Sequence, residues 1–329
     1  MKITCLEEHV AMPGIIAAWQ ALDRATRDLA IDLSTGNDKE RRLLDRVDLR
    51  LAAMDEAGID VSVLSHTTPG VQNLSPAQAV PLARDANDMV TSIVRERPDR
   101  FQGLATLPTP APEAASKELE RAVVELGLDG AMVFGRTGER NLDHPDFRPI
   151  LKTAAALRAP LYIHPQSPQP AVRAACYDGL GPEIGTSLAT NGVGWHYESG
   201  LQVLRLILSG VLDELPDLRL ILGHWGEVVL FYLDRIDLTS YAARLPRPVS
   251  DYFRTNIWVT SSGLFSQRYL LWASEVIGTD RIMCATDYPF PRIEPRGNRH
   301  FLEASSLGQE DREKVASGNW ERLRTDIRR

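Results

Sequence analysis

The chain has 329 residues, of which 43% are hydrophobic and 25% charged, and its net charge at pH 7 is −7. This length fits two average domains or one large α/β barrel. The negative charge, without a basic stripe, argues against a nucleic-acid surface, and no apolar run is long enough to span a membrane. Cys5, Cys176 and Cys284 are too scattered for a disulfide framework, so we expect a cytoplasmic protein.

Short apolar runs recur along the chain and predict strands. The first run is interrupted abruptly by two carboxylates and an imidazole, at Glu7, Glu8 and His9. Because side chains alternate along a strand, Glu7 and His9 are expected to point the same way and Glu8 the other way. The eight predicted strands cover residues 4–9, 61–64, 101–104, 130–134, 160–163, 218–222, 256–260 and 281–285.

Helical patterns lie between these strands. In residues 185–212, for example, Leu201, Leu204, Leu208 and Val211 recur at helical spacing and predict the buried stripe. The stretch 165–183 is rich in Pro, Gly and Ala, and we predict a long loop there. The predicted helices cover residues 38–57, 75–97, 112–126, 145–157, 185–212, 226–243, 266–277 and 308–327.

Alternating strands and helices predict parallel strands joined by crossover helices. Eight such units favour a single (β/α)₈ barrel domain over residues 1–329, with an insertion in the loop after the fifth predicted strand. A doubly wound open sheet is the alternative. It is weakened because no G-x-G-x-x-G motif follows the first strand.

Ligand-type side chains stand where four of the predicted strands end. Glu7 and His9 end the first, His164 the fifth, His224 the sixth and Asp287 the eighth. Each has an ordinary structural explanation, such as a helix cap or a hydrogen-bonded loop residue. Because active sites of such barrels lie at the carboxyl ends of the strands, the set as a whole favours a metal site.

At this point the sequence resembles the amidohydrolase superfamily. More closely it resembles the decarboxylase branch, which includes γ-resorcylate, 5-carboxyvanillate and aminocarboxymuconate-semialdehyde decarboxylases. The resemblance covers nearly the whole chain, and the dispersed set of motifs is more specific than any one piece. The motifs are Leu6-Glu7-Glu8-His9, Met54-Asp55-x-x-Gly58-Ile59-Asp60, Arg97-Pro98-Asp99-Arg100-Phe101, Tyr162-Ile163-His164-Pro165, Ile221-Leu222-Gly223-His224-Trp225-Gly226-Glu227 and Thr286-Asp287-Tyr288-Pro289-Phe290.

The resemblance implies a ligand set and an active-site histidine. Glu7, His9, His164 and Asp287 resemble the metal ligands, His224 resembles the histidine beside the metal, and Glu227 resembles the acid that supports it. Hydrolytic members of the superfamily usually open with H-x-H and often carry a carboxylated lysine. Glu7 replaces the first histidine here, and no lysine ends a predicted strand. Both points favour one divalent ion and decarboxylation. The mixed oxygen and nitrogen ligands suit Zn²⁺ or Mn²⁺.

The chemistry expected of this set is loss of CO₂ from an ortho-hydroxylated aromatic acid. A metal can bind the phenolate and carboxylate oxygens together. Asp287 is the candidate acid that protonates the ring carbon before CO₂ leaves, and a hydrogen bond from His224 and burial can raise its pKa for that role.

Further residues are candidates for substrate contact. Arg50 and Arg235 are possible carboxylate clamps, although either could be an ordinary surface or ion-paired arginine. Trp225 and Phe290 are candidate pocket walls, with core packing as the alternative. His66 is a weaker candidate.

Four other residues carry less specific expectations. His196 either contributes to substrate choice or packs a helix. His144 and His300 are expected in solvent-facing loops, and Cys284 in the core.

Two other functions stay open. One is a mononuclear metal hydrolase of a lactone or amide, with His224 and Asp287 activating water. The other is a catalytically silent barrel that serves as a binding subunit. The expected partner is a small aromatic carboxylate, and the resemblance implies a homodimer or homotetramer.

Overall fold

A computed structural model describes residues 1–23, 27–290 and 297–329. Its strands follow the predicted order along the chain. They are β1 Thr4–Val10, β2 Val61–His66, β3 Phe101–Gly103, β4 Ala105–Thr106, β5 Ala131–Phe134, β6 Leu161–His164, β7 Leu220–Leu222, β8 Ile257–Thr260 and β9 Ile282–Ala285.

The strands form one parallel sheet in the order β3-β2-β1-β9-β8-β7-β6-β5-β4. The two outermost strands, β3 and β4, are halves of one predicted strand that is interrupted at Leu104. The Leu104 N–H donates to the Leu64 carbonyl, and the Ala105 N–H donates to the Gly130 carbonyl, both at 2.8 Å. The interrupted strand therefore bonds to β2 on one side and to β5 on the other. This closes the sheet and confirms the predicted barrel.

Helices surround the sheet. The longest, Pro76–Glu96, begins with proline at its first turn and buries Ala79, Ala83, Val90 and Ile93 on one side. None of the helices in the described parts of the chain is both long and apolar enough to cross a membrane. The α-helices of six or more residues are Pro13–Gln20, Leu29–Ser34, Asp38–Leu44, Asp48–Ala57, Pro76–Glu96, Pro112–Glu120, Arg148–Leu157, Pro170–Cys176, Pro182–Ser187, Gly194–Leu208, Val249–Thr255, Gln267–Ile277, Gly297–Glu303 and Asn319–Thr325.

Shorter helical segments complete the connections. Among them, the segments Leu188–Gly192 and Val211–Glu214 flank Gly194–Leu208, and four more lie between β7 and β8. In the described parts of the chain these segments are Arg121–Glu125, Pro145–Phe147, Leu188–Gly192, Val211–Glu214, His224–Glu227, Leu230–Tyr232, Leu233–Ile236, Leu238–Ala242, Thr279–Arg281, Gln309–Glu313 and Lys314–Gly318.

Two of the three apolar clusters among the described residues hold the sheet and its surrounding layers together. One fills the barrel interior, with Leu6, Val63, Met132, Tyr162 and Ile221 among its members. The other lies largely between sheet and helices and contains the alternate strand residues, such as Cys5, Val133 and Cys284. Because strands buried on both faces are apolar throughout, they were recognisable in the sequence as continuous runs.

Several predicted helices are divided in the structure. Residues 38–57 form two helices because the Asp45 side chain accepts hydrogen bonds from the N–H groups of Leu49 and Arg50 and caps a second start. The predicted helix 226–243 consists of short turns and helical segments. The helix Gly297–Glu303 was not predicted.

The region after β6 also differs from the prediction. Residues 165–183 are not all loop, because Pro170 starts a helix that continues through helix-favouring residues to Cys176. The predicted helix 185–212 is interrupted before Gly194 and again after Leu208, and of its predicted stripe Val211 is fully buried. Leu201 is 49% exposed, whereas Val203, Leu206 and Ile207 are buried. That this region is an insertion stays a prediction, as does the single-domain assignment.

Candidate metal centre and active site

A bulge in β1 turns Glu7 toward the barrel interior. The pairing of β1 with β2 shifts between Cys5 and Glu8, and Glu7 has φ +62°. A positive φ is uncommon outside glycine, and a bulge of this kind re-aims a side chain. Glu8 instead accepts hydrogen bonds from the Thr286 N–H at 2.9 Å and from the Thr286 hydroxyl. The Glu8 side chain therefore points away from those of Glu7 and His9, as predicted. The bulge, and not strand alternation alone, produces this arrangement.

Four strand-end residues converge. One potential ligand atom from each of Glu7, His9, His164 and Asp287 lies within 4.8 Å of all the others. His9 Nε2 is 3.2 Å from Asp287 Oδ1, and His164 Nε2 is 3.3 Å from Glu7 Oε1. Two carboxylates and two imidazoles at one point form a donor set that suits a divalent transition metal.

Neighbouring groups orient three of these donors. The His164 Nδ1–H donates to the Pro165 carbonyl at 2.9 Å, which leaves Nε2 free to face the centre. The Tyr162 hydroxyl donates to Glu7 Oε2 at 2.6 Å, and the Ser262 hydroxyl donates to the same oxygen. His9 Nδ1 lies 3.4 Å from the Ser65 hydroxyl. Such contacts to the outer side of a ligand are typical of metal sites.

Glu7 Oε1 shows that the centre fits a metal ion. It is buried and has no hydrogen-bond partner among residues 1–23, 27–290 and 297–329. An unpaired buried carboxylate oxygen is costly in a folded protein. A cation between Glu7 and His164 provides the missing partner.

Burial also sets the protonation of these groups. It lowers the pKa of His9 to about 3 and that of His164 well below its usual value, so both imidazoles are neutral, as metal ligands must be. Burial raises the pKa values of Glu7 and Asp287, whereas the charge of His224 lowers both, so the expectation that His224 helps to raise the pKa of Asp287 is wrong. Both carboxylates are therefore difficult to ionise together without a compensating positive charge.

A second cluster, formed by His196, His224 and Glu227, adjoins the first. After β7 the backbone makes a left-handed turn, with positive φ at His224, Trp225, Gly226 and Glu227. His224 Nδ1 lies 2.8 Å from Glu227 Oε1, and His224 Nε2 lies 3.9 Å from Asp287 Oδ2. Strained non-glycine residues persist only where the surroundings hold them, and they concentrate at functional sites.

The second cluster is strongly polarised. Burial alone would raise the pKa of Glu227, but the imidazoles of His224 and His196 lower it to about 2. Burial alone would lower the pKa of His224, but the carboxylates of Glu227 and Glu7 raise it to about 10. An ionised carboxylate therefore supports a protonated imidazole beside Asp287.

The candidate substrate residues lie in different environments. Phe290 packs edge-on against His9, with ring centroids 5.7 Å apart, and borders the centre. Arg50 is buried, donates from Nη2 to the His9 carbonyl, and lies over the Tyr288 ring. Arg235 is exposed on the segment Leu233–Ile236.

Two candidate pocket residues have structural contacts instead. The His66 Nδ1–H donates to the Thr67 carbonyl at 3.0 Å, and Nε2 accepts from the Met12 N–H at 3.2 Å. Both ring nitrogens are thus occupied by backbone. Trp225 donates from Nε1 to the Leu264 carbonyl and packs in the outer core near Tyr269. The left-handed turn at Trp225 accounts for its direction, which the sequence did not reveal.

The remaining histidines and Cys284 have simpler positions. His144 lies 3.5 Å from the exposed Asp146, and His300 is exposed in the helix Gly297–Glu303 instead of in a loop. Cys284 is buried, as expected.

Sequence reasoning missed three residues near the centre. Tyr162 and Ser262 hold Glu7, and Lys39 Nζ lies 5.4 Å from the centroid of the Phe290 ring. Tyr162 had a detectable signal, because it precedes His164 by two positions and so shares its side of the strand. No comparable signal marks Lys39.

Comparison with known proteins agrees with this geometry. A family model described as amidohydrolase matches residues 19–323. The γ-resorcylate decarboxylase of Polaromonas sp. is 37% identical over 297 residues, which cover 86% of this chain and 88% of that protein.

Two solved structures extend the likeness to the whole fold. The 5-carboxyvanillate decarboxylase of Sphingomonas paucimobilis has a TM-score of 0.89 at 30% identity, covering 98% of this chain and 99% of that one. The dihydroxybenzoic acid decarboxylase of Polaromonas sp., solved with manganese and the inhibitor 2-nitroresorcinol, has a TM-score of 0.85 at 34% identity, covering 98% and 97%. The chain therefore belongs to the amidohydrolase family, and within it to the branch that contains these decarboxylases.

Proposed function

We propose that the protein is a metal-dependent, non-oxidative decarboxylase of an ortho-hydroxylated aromatic carboxylic acid. The observation that carries the proposal is the convergence of Glu7, His9, His164 and Asp287, with a buried Glu7 oxygen left unpaired. The relatives support it, since their names include decarboxylases of γ-resorcylate, dihydroxybenzoate and 5-carboxyvanillate.

The four converging residues are proposed to hold one divalent ion. When bound, that ion supplies positive charge that orients an anionic substrate and offsets charge developing on it. Mixed oxygen and nitrogen donors suit Mn²⁺ or Zn²⁺. A related structure contains manganese, which makes Mn²⁺ the first choice for reconstitution and leaves Zn²⁺ as the alternative.

Asp287 is proposed to donate a proton to the ring carbon that bears the carboxylate. Its two oxygens face different neighbours, Oδ1 toward His9 and Oδ2 toward His224. One oxygen can therefore serve the metal centre while the other carries the proton. A carbon–hydrogen bond forms first; the carbon–carbon bond then breaks, CO₂ leaves, and its bonding electrons restore the aromatic ring.

His224 and Glu227 support this proton transfer. The Glu227 carboxylate holds the Nδ1–H of His224, so Nε2 points toward Asp287. Phe290 is proposed to border the substrate ring, and Arg50 and Arg235 to act as carboxylate clamps. Arg50 has two buried guanidinium nitrogens, Nε and Nη1, with no hydrogen-bond partner among the described residues.

We also propose a homodimer or homotetramer in the cytoplasm, built from one domain per chain. A segment with exposed apolar side chains at Phe231, Tyr232, Leu238 and Tyr241 supports self-association, because exposed apolar patches mark interaction surfaces. Tyr241 is 92% exposed. The three cysteines are free and Cys176 is exposed, which fits a reducing compartment. Light scattering of the purified protein and cell fractionation test these points.

The test of function compares two reactions. Manganese-loaded protein is incubated with 2,6-dihydroxybenzoate and other 2-hydroxybenzoates, and separately with aromatic lactones and amides. We expect CO₂ release and no hydrolysis. Hydrolysis without CO₂ would refute the proposal in favour of the metal hydrolase, and absence of both reactions would favour a binding role.

Two variants assign the roles. Glu7→Gln is expected to lose both bound metal and turnover, because it removes one of the two carboxylates of the centre. Asp287→Asn is expected to abolish CO₂ release because an amide cannot supply the proton. Metal content by elemental analysis accompanies each assay, and full turnover by Asp287→Asn would eliminate Asp287 as the acid.

A further inference from the structure

The Glu227 carboxylate is held by two histidines, one on each oxygen. His224 Nδ1 is 2.8 Å from Oε1, and His196 Nδ1 is 2.6 Å from Oε2. The Glu227 side chain is fully buried, and the two imidazole rings lie 4.7 Å apart. The proposed reaction uses His224 and Glu227 but assigns no role to His196.

The helix Gly194–Leu208 brings His196 to this carboxylate. His196 and Gly200 are four residues apart, so they share one side of the helix. A Cβ added at Gly200 would lie 2.6 Å from the Glu227 carbonyl oxygen, which shows how closely the helix approaches the turn. The same side of one helix therefore contacts both the backbone and the side chain of Glu227.

The imidazole of His196 is itself held in place. Its Nε2 lies 3.3 Å from the Asn191 carbonyl oxygen, and the neighbouring Trp195 donates from its indole nitrogen to the Ser167 hydroxyl at 3.1 Å. Since both ring nitrogens face oxygen acceptors, rotation of the ring would forfeit both contacts. His196 is thus a fixed donor to Glu227.

We infer that His196 is a positioning residue that fixes the Glu227 carboxylate and, through it, the ring direction of His224. The inference rests on the proposed decarboxylase function. Without His196, Oε2 becomes a buried acceptor with no partner among the residues that the structure describes, and the carboxylate gains freedom to turn away from His224. His224 Nε2 then loses its fixed direction toward Asp287.

Three variants separate positioning from other roles. His196→Ala removes the donor. His196→Asn keeps one, because the asparagine amide nitrogen can occupy nearly the same place as Nδ1 but cannot carry a proton as imidazole does. His144→Ala is the control, since it removes a solvent-accessible histidine from outside both clusters.

The first readout is steady-state decarboxylation of 2,6-dihydroxybenzoate by the metal-loaded variants. We expect His196→Ala to lower kcat by about 10- to 100-fold, as for other partners that orient an active-site group, with KM changed by less than about threefold. His196→Asn should restore most of kcat, and the control should match the wild type.

The second readout is independent of turnover. Nitrogen-15 NMR of histidine-labelled, zinc-loaded protein reports the hydrogen-bonded Nδ1–H of His224, assigned with His224→Gln. We expect this signal in the wild type and His196→Asn, and its loss or broadening in His196→Ala.

Three kinetic results would overturn the inference. The first is that kcat and KM are both unchanged in His196→Ala. The second is a raised KM with normal kcat in that variant, which indicates a pocket wall. The third is that His196→Asn does not recover kcat, which indicates a proton carrier. If the wild type releases no CO₂, the proposed function fails. The NMR comparison still tests whether His196 positions His224, and an unchanged His224 signal in His196→Ala refutes that.

Discussion

Replacing Tyr162 by phenylalanine tests how the Glu7 ligand is prepared for a metal. The Tyr162 hydroxyl donates to Glu7 Oε2 at 2.6 Å in the barrel interior, where neither side chain is exposed. This bond holds one carboxylate oxygen and leaves Oε1 directed at His164. Tyr162→Phe removes the donor with little change in shape, so it changes orientation without creating a large cavity.

Two estimates of the effect agree. A hydrogen bond to a charged group contributes about 1.5–3 kcal/mol, which corresponds to about 10- to 100-fold in an equilibrium constant. Loss of a partner that orients a metal ligand typically costs about 10- to 100-fold in metal affinity. Because the Ser262 hydroxyl still donates to Glu7 Oε2, we expect the lower end, about tenfold weaker binding.

The assay is competition for Mn²⁺ or Zn²⁺ between the protein and a chelator of known affinity, with folding checked by circular dichroism. Tyr252→Phe is the matched control. Tyr252 is also a buried tyrosine whose hydroxyl donates to a carboxylate, Asp213, at 2.7 Å, but neither belongs to the metal group. We expect this control to bind metal like the wild type.

The reasoning is refuted if Tyr162→Phe binds metal as tightly as the wild type. It is also refuted if both phenylalanine variants lose affinity equally, because the loss would then reflect general destabilisation and not the orientation of Glu7.

Three further predictions concern stability and accessibility. Burial lowers the pKa of His66 from 6.5 to about 4, so its contribution to the free energy of unfolding is present above pH 6.5 and is lost as the pH falls through 4. Urea titrations should show that His66→Leu has a lower free energy of unfolding than the wild type at pH 7. Between pH 6.5 and pH 4, the free energy of unfolding should fall by on the order of 3 kcal/mol less in His66→Leu than in the wild type. The same pH dependence in both proteins contradicts this. Gly200→Ala should lower the free energy of unfolding by about 1–3 kcal/mol, because the alanine Cβ would lie 2.6 Å from the Glu227 carbonyl oxygen. If the variant is as stable as the wild type in the same titration, that close approach is contradicted. A thiol reagent should modify Cys176 rapidly and the two buried cysteines only after denaturation, and rapid loss of all three thiols contradicts their burial.

The barrel and the converging strand ends could be predicted because their signals are local. Strands covered on both faces appear as apolar runs, and parallel strands bring their carboxyl ends to one side of the barrel. Glu7, His9, His164 and Asp287 were therefore expected together before any contact was known, and the structure brings them within 4.8 Å. Helix boundaries were less predictable, because whether a side chain such as Asp45 caps a helix depends on the direction of the backbone around it.

The sequence by itself thus determined the order of strands and helices, the barrel class and the strand-end donor set. Apolar runs and helical spacing are patterns of residues that lie close together in the chain. Only the tertiary structure decided the bulge at Glu7, the left-handed turn at His224 and the outward direction of Trp225. The contacts Tyr162–Glu7 and His196–Glu227 join residues 155 and 31 positions apart. Such contacts depend on strained backbone held by surrounding packing, which no local pattern encodes.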